Sequence, residues 1–505
     1  IDPNEIATEM KDPANSNLLD HIARGLSEIL DVETSFIYEQ ASDTAYRYKV
    51  IRRKISEELA DQVREFIKGV YLETDAQRYY PYSSLAAQVL GFVSRDNVGQ
   101  EGLEAYYDSL LQGTAGKVVT SKGNYGSEML YTYEKYYDAS DGDSFVLTID
   151  ATVQSYLEKN LQNAIDKYGI LNGAFGIVMD VNTGEIVAMS TMGSYDPNHY
   201  QDVYDEETAQ TLEEQYQKAL LLRAGSPEYD AAMKAYNEAV AAARLKQWRN
   251  RCVSDGYEPG STFKLVTAAA AIENISDINE RTFYCEGEYK IAGVPITCKT
   301  AHYTQTFEQA LSNSCNIAFA QIAVMLGQET MIDYVTKYGF LSSHELDGIG
   351  CASGSYPLDF VGDPELGWSG IGQSTDTVCP YAMLRYVCAI ANGGTLIEPH
   401  MISGEEPVTT SLVEPATAKQ LTQMMNYNVV DHYDGDVNFP GLKLCAKTGT
   451  AELGDGDSHS WFVGFLADDE HPYAFVTLVE RGGYGITVAG AITNGFLQWA
   501  VENIE

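Results

Sequence analysis

The turn Glu258-Pro259-Gly260-Ser261-Thr262-Phe263-Lys264, running straight into the apolar stretch 265–272 (LVTAAAAI), constrains this chain more than any other feature. Pro259 and Gly260 impose a turn, and the Ala- and Leu-rich run behind it reads as a buried helix. Ser261 is therefore expected at a helix N-terminus, where unpaired N–H groups and the helix dipole favour negative charge on a reacting oxygen. Lys264, three residues on, falls on the same helical face. A serine hydroxyl attacks only when an adjacent base removes its proton. A lysine is that base only if burial or nearby positive charge lowers its pKa toward neutrality. Alone, S-x-x-K is as readily a capping serine followed by a surface lysine, so the rest of the chain must supply the context.

The 505 residues leave room for two large domains or three smaller ones, and 45% hydrophobic content is enough for a sizeable core. A formal net charge of −39 argues against nucleic acid or an anionic membrane surface as direct partner. It fits a solvated extracellular surface, or a halotolerant or acidic-proteome host. No apolar run reaches the roughly 18 residues of a membrane span. No signal peptide is present and the chain begins at Ile1, so a membrane anchor is expected to have lain upstream. The eight cysteines, Cys252 to Cys445, are irregularly spaced and all lie in the second half. That pattern fits free or metal-bound thiols, as in an anaerobe, better than a disulfide framework.

Residues 1–145 carry helical segments at 17–30 and 56–68 among short β-prone pieces such as 34–39 and 116–120. With no cysteine and charges spread along solvated faces, they read as a non-catalytic spacer. The turn-rich stretch 137–143 (YDASDGD) marks a boundary. A strand at 145–149 and a helix at 151–168 capped by Asp150 are expected next, with Val153, Tyr156, Leu157 and Leu161 at helical spacing. Apolar segments 174–179 and 186–189 flank the turn 180–185 (DVNTGE), which predicts a hairpin. Residues 205–245, charged and broken only at Gly225-Ser226-Pro227, predict a two-helix insertion with a structural or partner-facing role. Further on, the pattern predicts two short strands within 283–296 and a helix over 306–326 capped by Thr306. A strand over 442–450, strands at 461–466 and 474–479, and a closing helix over 487–501 complete an α+β chain.

Three short motifs thus stand in order: Ser261-x-x-Lys264, Ser314-Cys315-Asn316 and Lys447-Thr448-Gly449-Thr450. At a helix start, a second helix start and an edge strand, this set is the one shared by penicillin-binding proteins and serine β-lactamases. Over nearly its whole length the chain resembles class B penicillin-binding proteins, the monofunctional D,D-transpeptidases. The resemblance is carried by the full 258–264 motif, Ile371-Gly372-Gln373 and Ala391-Asn392-Gly393-Gly394. Arg78 to Pro81, Gly102-Leu103-Glu104 and Leu147-Thr148-Ile149-Asp150 extend it to the pedestal and its junction. The family's membrane anchor and first pedestal motif are missing here. The resemblance implies a pedestal or dimerisation-type domain over 1–145. A transpeptidase domain over 146–505, an antiparallel five-stranded sheet flanked by helices, follows with its insertion at about 205–245.

The implied activity is acyl transfer. Lys264 takes the proton of Ser261 as Ser261 attacks the penultimate D-Ala carbonyl of a stem pentapeptide; D-Ala leaves, and an amine of a neighbouring strand resolves the acyl-enzyme into a cross-link. By the same resemblance Ser314 relays protons, and Asn316 binds the substrate amide and positions Lys264. Lys447 lowers the Lys264 pKa and attracts the substrate carboxylate, which the Thr448 and Thr450 hydroxyls at Gly449 bind. The N–H groups of Ser261 and Thr450 form an oxyanion hole, where one donor is worth ~3 kcal/mol. β-Lactams would acylate Ser261. The implied partners are D-Ala-D-Ala stem peptides, a membrane-embedded glycosyltransferase and other cell-wall machinery at the outer face of the cell membrane, with no nucleic acid.

Cys285, Cys298 and His302 follow C-x12-C-x3-H between the first two motifs. Two thiolates and an imidazole suit tetrahedral zinc, held structurally because serine chemistry needs no metal. A subset of clostridial-type class B enzymes has a similar thiol-containing zinc site. Asp255 is the expected fourth ligand, with Cys315 and His459 as competitors. A serine β-lactamase would carry the same three motifs, but would need a deacylating base and no pedestal. A β-lactam sensor or non-catalytic scaffold that binds partners through the pedestal is a second alternative, and intact Ser261, Lys264 and Lys447 argue against a dead scaffold. No G-x-S-x-G elbow supports a Ser-His-Asp hydrolase.

Overall fold

The computed structural model describes residues 1–120, 134–170 and 173–504. Two compact units divide the chain, Ile1–Tyr79 and Tyr80–Glu505.

The first unit is helical. Asp2 caps Pro3–Glu9 by accepting the N–H groups of Asn4 and Glu5, and Leu18–Leu30, Thr34–Ser42 and Glu57–Val63 follow. The segment expected to be β-prone at 34–39 is therefore helix. Ile37 and Ala41, four apart, bury with Ile22, Ala23, Leu26 and Val63, and this tertiary packing overrides the local preference. A groove of about 810 Å³ in this unit is lined by Arg47, Arg52, Arg53, Glu57, Glu73 and Asp75. Its charges are mixed, and it holds neither a cysteine nor a histidine.

The second unit begins with short elements. Tyr80, Ala87 and Phe92 pack with Tyr195, and Asn198 Nδ2 donates to the Tyr80 carbonyl at 2.8 Å. Residues 80 onward are thereby part of the larger unit. The strand expected over 145–149 is reduced to an isolated bridge between Leu147 and Ile402.

A five-stranded antiparallel sheet forms the centre: β1 (Ala174–Asp180), β2 (Ile186–Thr191), β3 (Leu444–Glu452), β4 (Ser458–Leu466) and β5 (Tyr473–Val479), in the order β3-β4-β5-β1-β2. All but β2 and β3 are flanked on both sides, and β3 lies at one edge. Alternation along β5 feeds two cores. Phe475 joins Val178 and Phe462 beneath helices α1 (Ala151–Tyr168) and α4 (Ala489–Asn503), whereas Val476 joins Ile177 and Val463 on the other face. That second face is covered by α2 (Lys264–Asn274), whose Leu265–Ala271 are all buried, and by Pro380–Ala391. A sheet buried on both faces is why β4 and β5 read as continuous apolar runs rather than as alternating ones.

The insertion forms two helices, Glu206–Leu220 and Pro227–Trp248, capped by Asp205 and Ser226. The single helix expected over 306–326 is divided. Phe307–Ser312 opens with a Thr306/Gln309 capping box, the chain turns left-handed at Ser314 (φ 51°), and α3 (Asn316–Lys337) starts after Cys315. Between α2 and this break, Glu288–Ile291 pairs with Val294–Thr297 as expected, and Thr282–Cys285 pairs with Tyr303–Thr306. Among the described residues no helix is long and apolar enough to cross a membrane.

Candidate active site

Ser261 lies in a 3-10 turn, Gly260–Phe263, that leads into α2. Gly260 has φ 50°, and a Cβ there would lie 3.2 Å from the backbone of Ala451 on β3; a Cβ on Gly449 would lie 2.7 Å from the Pro259 carbonyl. Both glycines are required for the S-x-x-K turn to touch the edge strand. Gly372 O accepts the Gly260 N–H at 3.0 Å, and Trp461 Nε1 donates to Glu258 O at 2.9 Å, which fixes the turn from both sides.

Lys264 is fully buried, at 0% exposure, and its Nζ donates to Ser261 Oγ at 3.0 Å, Ser314 O at 2.6 Å, Ser314 Oγ at 3.2 Å and Asn316 Oδ1 at 2.7 Å. Lys447 Nζ donates to Ser314 Oγ at 3.1 Å and to Thr448 O at 3.0 Å. The Ser314 hydroxyl thus lies between two lysines, and the left-handed backbone at Ser314 turns both its carbonyl and its hydroxyl toward Lys264. Burial lowers the Lys264 pKa to about 8, against a pull upward from the thiols of Cys315 and Cys298. Lys447 is pushed well below its ordinary value by burial and then by the Lys264 charge. Burial, rather than the charge of Lys447, is therefore the principal cause at Lys264. A hydroxyl beside an amine that is neutral in part near physiological pH is equipped for nucleophilic acyl transfer.

The outer edge of β3 is occupied in steps. Asn426 Nδ2 donates to Leu444 O at 3.1 Å, Asn428 Nδ2 donates to Ala446 O at 2.7 Å, and Thr448 N donates to Tyr433 Oη at 2.9 Å. These residues come from the end of helix Pro415–Tyr427 and the π-helical turn Asn428–His432. In an antiparallel strand the N–H and C=O of alternate residues face the same side. The next outward residue is Thr450, whose backbone faces a cleft of about 500 Å³ lined by Ser261, Ser314, Asn316, Thr448 and Tyr484. Sequence reasoning missed Asn426, Asn428 and Tyr433. No local pattern ties them to a strand 15 to 18 residues on, and only the fold brings them together.

Ser261, Ser314, Asn316, Thr448 and Thr450 line this cleft, and Lys264 and Lys447 lie buried behind it, both in contact with Ser314. Of the residues expected around a metal, Cys285, Cys298 and His302 come together and Asp255 does not. The ligand atoms of Cys285, Cys298, His302 and Cys315 all lie within 4.8 Å of one another. Cys298 Sγ and Cys315 Sγ are 3.8 Å apart, and Cys285 Sγ lies 3.4 Å from His302 Nδ1. Tetrahedral zinc with Zn–S of about 2.3 Å places its sulfurs about 3.8 Å apart, so the donor set fits. The hydrogen bond to Cys315 lowers the Cys298 pKa, and the same bond raises that of Cys315. Asp255 is not among the four: its carboxylate is engaged by Arg249, Ser254 and Tyr257. His459 is also elsewhere, accepting from Arg481 N at 3.3 Å. Cys315 takes the fourth place because capping α3 points its thiol back at the Cys298 loop.

Two family models match the chain: the penicillin binding protein transpeptidase domain over residues 174–498, and the penicillin-binding protein dimerisation domain over residues 4–147. Stage V sporulation protein D of Bacillus subtilis is 30% identical, with 94% of this chain and 72% of that protein covered. The peptidoglycan D,D-transpeptidase FtsI of Escherichia coli is 24% identical, with 91% and 73% covered. Among solved structures, PBP2 of Helicobacter pylori, determined in complex with MreC, superposes with a TM-score of 0.75 at 20% identity over 97% of this chain and 92% of that one. Penicillin-binding protein A of M. tuberculosis, a ceftriaxone acyl-enzyme complex, gives 0.66 at 23% identity over 85% and 95%. With a dimerisation domain ahead of a transpeptidase domain that covers most of its length, the chain belongs to the class B penicillin-binding proteins.

Proposed function

We propose that this chain is a serine-type peptidoglycan D,D-transpeptidase that cross-links stem peptides ending in D-Ala-D-Ala. The single observation that carries the reading is the buried Lys264 amine 3.0 Å from the Ser261 hydroxyl. Ser261 attacks the penultimate carbonyl and passes its proton to Lys264. Ser314, in contact with both lysines, returns a proton to the departing D-Ala. Asn316 holds Lys264 in place and faces the substrate amide. Lys447 and the Thr448 and Thr450 hydroxyls receive the terminal carboxylate, and the N–H groups of Ser261 and Thr450 receive the oxyanion. β-Lactams acylate Ser261 by the same route.

Residues 1–145 serve as pedestal and 146–505 as transpeptidase domain. The relative named for sporulation and the one named FtsI support a role in building spore or septal wall, at the outer face of the cell membrane. The MreC complex of the H. pylori protein supports a protein partner of that kind, and a membrane-embedded glycosyltransferase and other cell-wall machinery complete the proposed set. Cys285, Cys298, His302 and Cys315 would hold a structural zinc, which supplies a cross-brace and takes no part in the acyl transfer. Intact-mass spectrometry of the native and penicillin-treated protein tests the reading. One penicilloyl adduct is expected on the wild type and none on Ser261→Ala. An unmodified wild type would end it.

A further inference from the structure

Tyr433 is buried at 5% exposure in the wall of the cleft, although its chain neighbours His432 and Asp434 are exposed. Its ring packs near Phe462, and Asn438 Nδ2 donates to its carbonyl at 2.6 Å, so both ends of the residue are fixed. Its hydroxyl meets Thr448 twice and the Asn428 side chain once: Oη accepts the Thr448 N–H at 2.9 Å, lies 2.8 Å from Thr448 Oγ1, and is within reach of the Asn428 amide, which also donates to Ala446 O.

We infer that Tyr433 is a positioning residue that aims the Thr448 hydroxyl as a donor at the terminal carboxylate of the substrate. The argument is one of proton count. A phenol oxygen that already accepts an N–H has a single proton left to place, and Thr448 Oγ1 is in reach to accept it. A threonine hydroxyl that accepts from the phenol keeps its own proton for another partner, and that partner is on the cleft side. A rotor free to point either way becomes one held toward an anion, and hydrogen bonds to a charged acceptor are the strong ones. An unassisted threonine would spend part of its time donating to the strand edge instead. The sequence carries no sign of this pairing, since Tyr433 stands 15 residues before Thr448 and outside all three motifs.

The inference rests on the reading that Thr448 binds the terminal carboxylate, and the test separates the two. Benzylpenicillin carries a carboxylate in the place of that of D-Ala, and its methyl ester does not. The quantity measured is the ratio of their second-order acylation rates, followed by intact-mass spectrometry on the full chain, with melting temperatures alongside. In wild type the acid is expected to react faster. Tyr433→Phe should lower the ratio about tenfold, Thr448→Val should lower it at least as far, and the double variant should lower it no further. A brace that merely stiffens β3 would slow both compounds together and leave the ratio alone, which would overturn the inference. If Thr448→Val retains the ratio, the carboxylate reading fails and the inference with it. If Thr448→Val loses the ratio and Tyr433→Phe keeps it, only the inference fails. Should Tyr433→Phe not fold, 3-fluorotyrosine at position 433, a stronger donor of the same shape, must raise the ratio; an unchanged ratio overturns the inference.

Discussion

Asn316 accepts from Lys264 Nζ through Oδ1 at 2.7 Å and donates through Nδ2 to the Thr297 carbonyl at 2.9 Å. Thr297 directly precedes Cys298, so one amide links the lysine to the thiol cluster. Asn316→Ala removes the acceptor of a buried amine and unties that amine from the hairpin. A hydrogen bond to a charged group is worth ~1.5–3 kcal/mol, so penicillin acylation should fall between about tenfold and a hundredfold. Stopped-flow or quenched labelling checks this, and Asn316→Asp, which keeps an acceptor, should lose less.

The same link makes the metal site audible in the chemistry. One zinc per chain is expected by elemental analysis. Cys298→Ser or prolonged chelation should remove it, lower the melting temperature and slow acylation through the loosened Thr297–Asn316 contact. Asp255→Asn should keep its metal, because Asp255 faces Arg249 and Tyr257 rather than the cluster.

Acylation should rise with pH. Lys264 has to be neutral to accept the Ser261 proton, and its pKa is lowered by burial to about 8. The protonated, inactive form therefore dominates below that value and the rate climbs through it. A profile of the second-order acylation rate with benzylpenicillin should show this ascending limb. A rate that falls across the same interval would contradict the assignment of Lys264 as base.

Gly260→Ala should damage both stability and rate. The position has φ 50° and the new methyl would press on the Ala451 backbone at 3.2 Å. A left-handed non-glycine residue costs ~1–2 kcal/mol, and relief requires the S-x-x-K turn to draw back from β3. A lowered melting temperature together with slower acylation is expected, the second exceeding what the first explains.

Much of this was legible beforehand because motif, helix and strand are local. The 258–264 turn, the Asp150 cap, the hairpin at 180–185 and the apolar strands β4 and β5 each follow from a few adjacent residues. What the sequence withheld depended on contacts between distant segments. Residues 34–39 look β-prone until Ile22 and Leu26 supply a surface for Ile37. The helix at 306–326 looks continuous until Ser314 must face two lysines from elsewhere. Cys315 reads as an ordinary middle residue of its motif, and the break before α3 that aims its thiol at the cluster is not visible in the letters.

The occupied outer edge of β3 has one consequence for what can enter the cleft. A sheet edge normally accepts an extended chain in several alignments, differing by two residues. Here asparagine and tyrosine side chains occupy the outward carbonyls of Leu444 and Ala446 and the outward N–H of Thr448. A visiting peptide is therefore kept off the first half of the strand and confined to the stretch from Thr450 to Glu452, beside Ser261 in the same cleft.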